Sequence, residues 1–292
     1  MSTNFQLIKS NGRFCLELNS HSLSAFQRCE REFDLTNLKL MADRREYYPF
    51  KRGAGISHVL GIWYLAKQKN YSLKRLEKLE EFLFKKMMRS SHFINTRYNE
   101  DDRLHIASRL MGYFNKYRCE KNMDIIAVEK GFSKVIYEDK FHLFVYSGRP
   151  DLVCNFGGNF GIGAMDHKSE SRKNDIADFN NQFVGYSWSL GATTGITNYI
   201  GLQKDAKDNE VLRREAYTFT PNQIDKWKSD TIDWYYRITR SITGKKFLRS
   251  WNCENKYGKC MYYNICTSGT VAEEKMKLDR DFIKLDKPYR SW

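Results

Sequence analysis

Proline is scarce in this chain, four among 292 residues, and no proline-rich, low-complexity or repeated segment occurs. That excludes a fibrous or solenoid protein and makes long disordered regions unexpected. No apolar run is long enough to cross a bilayer. The first residues, MSTNFQLIKSNGRF, lack the hydrophobic stretch of a secretory signal, so a cytoplasmic location and no membrane partner are expected. There is no G-x-x-x-x-G-K-[ST] loop, so any duplex unwinding would come from a helicase or another partner. Acidic residues are outnumbered, 35 against 49 basic, for a formal net charge of +14. An excess of that size favours a polyanion as partner, although solubility alone also uses it. Aromatics reach 15%. Most belong in a core, but tyrosine and tryptophan among lysines also suit stacking on unpaired bases.

The length suits one large domain, or one core with appended lobes. Apolar alternation around Asn11-Gly12 predicts a hairpin over residues 3–20. A helix is expected from Ser22 to Leu35, with Ser22 or Ser24 as cap, and further helices over 54–69, 73–90 and 101–121. From Ile125 the pattern changes to consecutive strands, with turns near Glu138-Asp139 and Gly157-Gly158. A helix over 175–191, strands near 196–204 and 211–219, and a basic helix over 221–242 follow, the last with Thr220 as cap and Pro221 at its first position. This order predicts an α/β fold with a central mixed sheet, in three regions of a single domain. They are a helical region over 22–124, a core over 125–245, and a cysteine-rich lobe with a charged tail over 246–292.

Pro150-Asp151 is followed, fourteen residues later, by Asp166-His167-Lys168. Between them NFGGNFG reads as the turn of a hairpin, which would bring Asp151 and Asp166 together. Lys168, two residues beyond Asp166, would share its face. Two carboxylates and an ammonium on one face suit a hard divalent cation holding a phosphate. His58 lies in a helix with Ile56, Val59, Leu60 and Trp63, and is expected to face the core, as a ligand or as a hydrogen-bonded core histidine. Gln182 and Tyr186, at i and i+4, share one helix face. They could contact a phosphate or orient the lysine, or simply pack.

Seven cysteines occur, and Cys253, Cys260 and Cys266 form a C-x6-C-x5-C run among polar, turn-like residues. Three thiolates need a fourth ligand for a closed site. Cys29, expected on a short amphipathic helix amid charged residues, is the best candidate. Cys15 and Cys154 fit strands as small hydrophobes, and Cys119 stands alone. In a chain without a signal peptide, metal ligation is expected over disulfides. The residues by themselves leave zinc and an iron–sulfur cluster equally open.

Taken in order, His58, Asp151, Asp166-His167-Lys168 and the Gln182/Tyr186 pair resemble the RecB-type nucleases of the PD-(D/E)xK superfamily. One early and three late cysteines are similar to its iron–sulfur branch, which includes AddB-type nuclease domains, the nuclease of CRISPR spacer acquisition and phage-encoded relatives. The resemblance runs from about Ser22 to Cys266. It departs in one place: the common C-x2-C-x5-C spacing is lengthened between Cys253 and Cys260. The resemblance implies a restriction-endonuclease-like core and a structural [4Fe–4S] cluster on Cys29, Cys253, Cys260 and Cys266. It also implies a Mg2+ or Mn2+ site of His58, Asp151, Asp166 and the backbone carbonyl of His167. Glu129 resembles that family's acidic residue ahead of the Pro-Asp, in a supporting role.

The activity so implied is metal-dependent hydrolysis of DNA, as an exonuclease on single strands or ends, in recombination, repair or replication in a bacterial cell or phage-infected host. Lys168 would position the attacking water, and Gln182 and Tyr186 would orient the lysine or the strand. Three rival readings are a non-cleaving nucleic-acid-binding accessory protein of the same fold, a cysteine-metal RNA- or DNA-binding protein whose Asp/Lys pair is coincidental, and a hydrolase of small phosphate esters.

Overall fold

The computed structural model describes residues 8–10, 12–44, 48–90, 100–170, 180–204, 206–250, 253–255 and 258–285. In chain order its elements begin with β1 (Ile8–Ser10), β2 (Arg13–Leu18), α1 (Ser20–Arg28), α2 (Glu30–Phe33), a π-helical turn over Asp34–Leu38 and β3 (Met41–Asp43). Three longer helices follow: α3 (Tyr48–Gln68), α4 (Leu73–Arg89) and α5 (Glu100–Tyr117). Then come β4 (Asp124–Val128), β5 (Phe132–Glu138), β6 (His142–Gly148), β7 (Leu152–Asn155) and β8 (Ile162–Glu170). Next are α6 (Asn181–Leu190), β9 (Thr194–Gly201), α7 (Asp208–Val211), β10 (Leu212–Thr218) and α8 (Pro221–Thr243). The chain closes with β11 (Glu254–Asn255), β12 (Gly258–Lys259), α9 (Tyr263–Cys266), α10 (Val271–Asp281) and β13 (Phe282–Lys284). The protein is a mixed α/β fold, and among the described residues no helix is long and apolar enough to cross a membrane.

The chain forms two compact units, each built from separated segments. The second, residues 47–132 and 149–224, carries a five-stranded sheet in the order β10-β9-β8-β7-β4. β8 and β9 run parallel and the other pairs antiparallel. β9, TGITNYIG, is buried along its whole length, as expected of a strand covered on both faces. Helix α3 lays Ile56, Val59, Leu60 and Trp63 into the core, each at most 4% exposed. This is the apolar stripe that the sequence shows. Against it α4 places Leu83, Met87 and the carboxylate of Glu80, and burial of that charge is tolerable because it is met twice. Trp63 Nε1 donates to Glu80 at 2.9 Å, and Arg118 pairs with it at 2.5 Å.

The turn between β7 and β8 uses its glycines as the sequence suggests: Gly157, Gly158 and Gly161 all take positive φ. Gly163, two residues into β8, serves closeness instead. A Cβ there would stand 2.5 Å from the backbone oxygen of Thr194 on β9. Gly163→Ala must therefore separate the two parallel strands. It is expected to destabilise by roughly 1–3 kcal/mol, the usual range for an overpacked core. Thermal unfolding would show this as a midpoint several degrees lower, and an unchanged midpoint would mean that the β8–β9 spacing is not fixed here.

The first unit, residues 1–46, 133–148 and 225–291, contains the four-stranded sheet β1-β2-β6-β5 and two small sheets, β11-β12 and β13-β3. Its core stacks Phe144 on Tyr235, with centroids 4.9 Å apart, and sets Tyr146 edge-on to Trp227. α8 begins as expected, with Thr220 Oγ1 accepting from Gln223 N at 3.3 Å ahead of Pro221. The tail is a docked helix: α10 leads into β13, which pairs with β3.

Three expectations are corrected here. The first helix starts at Ser20 under an Asn19 cap, not at Ser22 or Ser24. It is also not continuous, because Cys29 is extended (φ −163°, ψ 117°) and separates α1 from α2. The break is sustained by partners two hundred residues away in sequence. Arg31 N donates to Leu248 O at 3.0 Å, and the Glu30 carboxylate accepts from Leu248 N at 3.2 Å and Ser241 Oγ at 3.0 Å. The expected central sheet over 125–245 is divided as well, since β5 and β6 pair in the four-stranded sheet with β1 and β2. Among the longer helices the differences are shifts of ends, with α3 beginning at Tyr48, α5 stopping at Tyr117 and α6 beginning at Asn181. The expected start of that last helix, 175–179, lies outside the described residues.

Candidate functional site

Asp151 directly precedes β7, whose register on β8 pairs Leu152 with Met165. Continued by one residue, that register sets Asp151 opposite Asp166. Backbone bonds fix it on both sides. Its carbonyl accepts from Glu129 N at 2.8 Å, and its Oδ2 accepts from His167 N at 2.6 Å. On β8, Asp166 and Lys168 share a face and form an ion pair. His167, between them, projects to the other side, as strand alternation demands. The hairpin, the approach of the two aspartates and the Lys168 face thus stand as the sequence led one to expect.

Helix α6 presents Gln182 from its first turn, after an Asn180 cap that accepts from Phe183 N. Gln182 Nε2 donates to Asp166 Oδ1 at 2.9 Å and to Tyr186 OH at 3.1 Å, while its Oε1 accepts from Lys168 Nζ at 3.2 Å. An ammonium only donates and a carboxylate only accepts, so this one amide is oriented by both. Tyr186 OH in turn donates to the carbonyl of Arg149 at 3.2 Å. The i, i+4 pair is therefore not ordinary helix packing: it ties the chain ahead of Asp151 to Asp166 and Lys168.

The Asp151 carboxyl is pushed up, first by burial and then by the charge of Asp166, with Glu129 adding to it. The His167 N–H and Lys168 oppose the rise. Glu129 sits at positive φ (47°), with Arg149 3.9 Å from its carboxylate. It also touches α3: a Cβ on Gly61 would lie 2.8 Å from Glu129 Oε1. Asp151 and Asp166, crowded beside one ammonium, are a carboxylate pair that a hard divalent cation would relieve.

His58 does not join this set. It is exposed on α3, because Ile56, Val59, Leu60 and Trp63 define the buried face and His58 falls off it, contrary to the core-facing expectation. Among the described residues, no group of three or more His, Cys, Asp or Glu side chains stands close enough together to hold a metal ion. The His167 ring is turned into the core, stacked on Tyr64 with centroids 5.4 Å apart. Burial pushes its pKa down to about 3, so the imidazole is neutral and Nδ1 accepts from Asn198 Nδ2 at 2.8 Å.

Beneath β8 lies a buried polar network that sequence reading missed. Asn198 Nδ2 also donates to Tyr113 OH at 2.8 Å, and Tyr113 OH meets Tyr64 OH at 2.5 Å. Arg214 donates to Asn198 at 3.3 Å and to Tyr64 at 3.0 Å, and pairs with Glu120. The signal was Asn198 itself, an amide inside the otherwise apolar strand ITNYIG, which had to find partners once buried.

In the first unit, Cys29, Cys253, Cys260 and Cys266 are free thiols in one electrostatic neighbourhood. Desolvation pushes Cys260 up to about 11, the Tyr262 backbone N–H opposes this, and Cys253 and Cys266 add to it. Cys266 is raised by desolvation, against a hydrogen bond from Arg249, and feels Cys29. Cys260 N donates to Cys253 O at 2.7 Å across the β11–β12 turn. Cys260 and Cys266 pack against a small core of Leu35, Tyr262, Ile265 and Phe282. Thiolates are the donors that a zinc or iron–sulfur site would use, and as placed these four do not gather into a metal-binding group. Cys154 is buried and Cys119 exposed.

Asp151 carries a pH signature. A carboxyl raised above its unfolded value holds its proton more tightly in the folded state, so stability falls as pH rises from about 4 to about 8. Asp151→Asn removes that slope. Melting points measured between pH 5 and pH 8 without divalent ions are expected to drop more steeply for the parent than for Asp151→Asn. Parallel profiles would contradict the raised carboxyl.

No family model matches the chain, and no curated protein matches it. Nine chains of solved structures match. One is the crystal structure of SSO0001, 15% identical over 65% of this chain and 97% of that one, with a TM-score of 0.33.

Proposed function

We propose that the protein is a metal-dependent deoxyribonuclease of the RecB type, with a PD-(D/E)xK core in its second unit. The observation that carries this reading is the bridging of Asp166 and Lys168 by Gln182, beside an Asp151 held by the backbone N–H of His167. Asp151, Asp166 and the His167 carbonyl would hold Mg2+ or Mn2+, and His58 would join only after α3 or its side chain moves. The bound cation would polarise the scissile phosphodiester and lower the pKa of a water. Lys168 would direct that water and offset charge developing on the phosphoryl oxygens. Gln182 and Tyr186 would keep the ammonium aimed, with Arg149 O as their anchor. Cys29, Cys253, Cys260 and Cys266 would hold a structural [4Fe–4S] cluster. The substrate would be DNA, as single strands or ends, in recombination, repair or replication. The excess of positive charge supports a polyanion.

The test is a cleavage assay on protein purified without oxygen, using 5′- and 3′-labelled single- and double-stranded DNA with Mn2+, Mg2+ or chelator. Metal-dependent shortening is expected, with the first label lost giving the polarity. Binding without cutting under every metal would favour a non-cleaving accessory protein.

A further inference from the structure

Five cations converge on one cavity of about 610 Å3 in the first unit: Arg31, Lys39, Lys245, Lys246 and Arg249. A single carboxylate, Asp34, shares the lining. It is 4% exposed and already committed, paired with Arg31 and 3.0 Å from Lys39 Nζ. Arg31 and Arg249 also share Glu274, the latter at 3.8 Å. The positive charge is therefore only partly answered from within the fold, and Lys245 and Lys246, both exposed, add two further charges at the cavity. Phe247 and Leu38 supply an apolar wall.

The end of α8 fixes where these lysines stand. Lys245 sits in the left-handed region, φ +49°, although a glycine precedes it. There the chain closes α8 with Lys245 N on Ile242 O at 3.2 Å and Lys246 N on Ser241 O at 3.0 Å. The segment beyond is pinned by the bonds between Leu248 and Glu30 and Arg31. Lysines at a helix C-terminus also complement the helix dipole. That accounts for Lys245 and Lys246, but not for Arg31, Lys39 and Arg249 arriving from other elements.

We propose that this cavity is a second nucleic-acid contact, in which the five cations take backbone phosphate of a single strand and Phe247 lies against a base. The choice of nucleic acid over another phosphate rests on the nuclease reading; the phosphate chemistry does not. The experiment is fluorescence anisotropy of 5′-fluorescein-labelled dT20 in chelator across a salt series, on the whole protein. Lys245→Ala/Lys246→Ala is compared with Lys74→Ala/Lys78→Ala, an equal charge loss on α4. The cavity variant is expected to bind about tenfold more weakly, with a salt slope shallower by roughly 1–1.5, as two lost phosphate contacts on a single strand predict. The α4 variant should change little, and both should melt as the parent does. Equal losses in the two variants, or none in the cavity variant, would overturn the proposal. Displacement of the strand by dTMP or inorganic phosphate at the strand's own concentration would overturn it in favour of a small-phosphate site. Because chelator is present throughout, the result is independent of cleavage. A parent that binds through the cavity but never cuts would refute the nuclease alone.

Discussion

Lys168→Ala is expected to lower DNA cleavage by roughly 10²–10³-fold, the usual loss when one preorganised charge stabiliser is removed, while binding of single strands in chelator stays close to the parent's. The physical ground is that Lys168, although partly exposed, is aimed by Asp166 and the Gln182 oxygen. Its loss has a second consequence. Without the ammonium, the Asp151 carboxyl loses a cation that opposes its rise, so at alkaline pH, where both aspartates ionise, the metal-free variant should melt lower than the parent, and its gain in melting temperature on adding Mn2+ should be larger. A merely structural lysine would lower stability without enlarging that gain. Asp166→Asn completes the comparison: it keeps the hydrogen bond to Gln182 but removes a charge, so cleavage and the Mn2+ gain should fall together. Full cleavage by either variant would remove Asp166 and Lys168 from the site.

Much of this arrangement was legible because it depends on local rules. A glycine-rich turn of fixed length between two strands decides that Asp151 meets Asp166, and period-two alternation decides that Lys168 joins them while His167 does not. Gln182 and Tyr186 follow from helical spacing. What escaped was set by long-range partners. His58 was expected to face inward because small and apolar residues surround it, but helical phase relative to Trp63 decides its side. The interruption at Cys29 has no local cause such as proline or glycine, and it exists because Leu248 returns to bond Glu30 and Arg31. Arg214, Tyr64, Tyr113 and Asn198 come from four separate elements, and Glu120 from the segment between α5 and β4. Only the folded sheet makes them one network.

If the proposed cluster forms, Cys29→Ala is expected to lose its iron and to lower the melting temperature by roughly 5–15 °C, a range that follows from a long-loop cross-link worth about 3–5 kcal/mol. Cys29 stands at the junction of α1 and α2, and its proposed co-ligands follow more than two hundred residues later. A cluster on all four thiols would therefore close a very long loop and constrain the unfolded chain strongly. Part of this closure is already made by protein bonds, since Arg31 pairs with Glu274 and bonds Leu248 O, which places the effect below the loop-entropy maximum. The raised Cys260 and Cys266 thiols are protonated at neutral pH without metal, so loading should release protons and proceed further at higher pH. Cys119→Ala is the control, exposed and not one of the four proposed ligands. It should keep both iron and melting temperature. Iron content measured on anaerobically purified protein, alongside thermal unfolding, decides the matter: unchanged iron and unchanged melting in Cys29→Ala would remove Cys29 from the site, and zinc in place of iron would keep the staple while changing its metal.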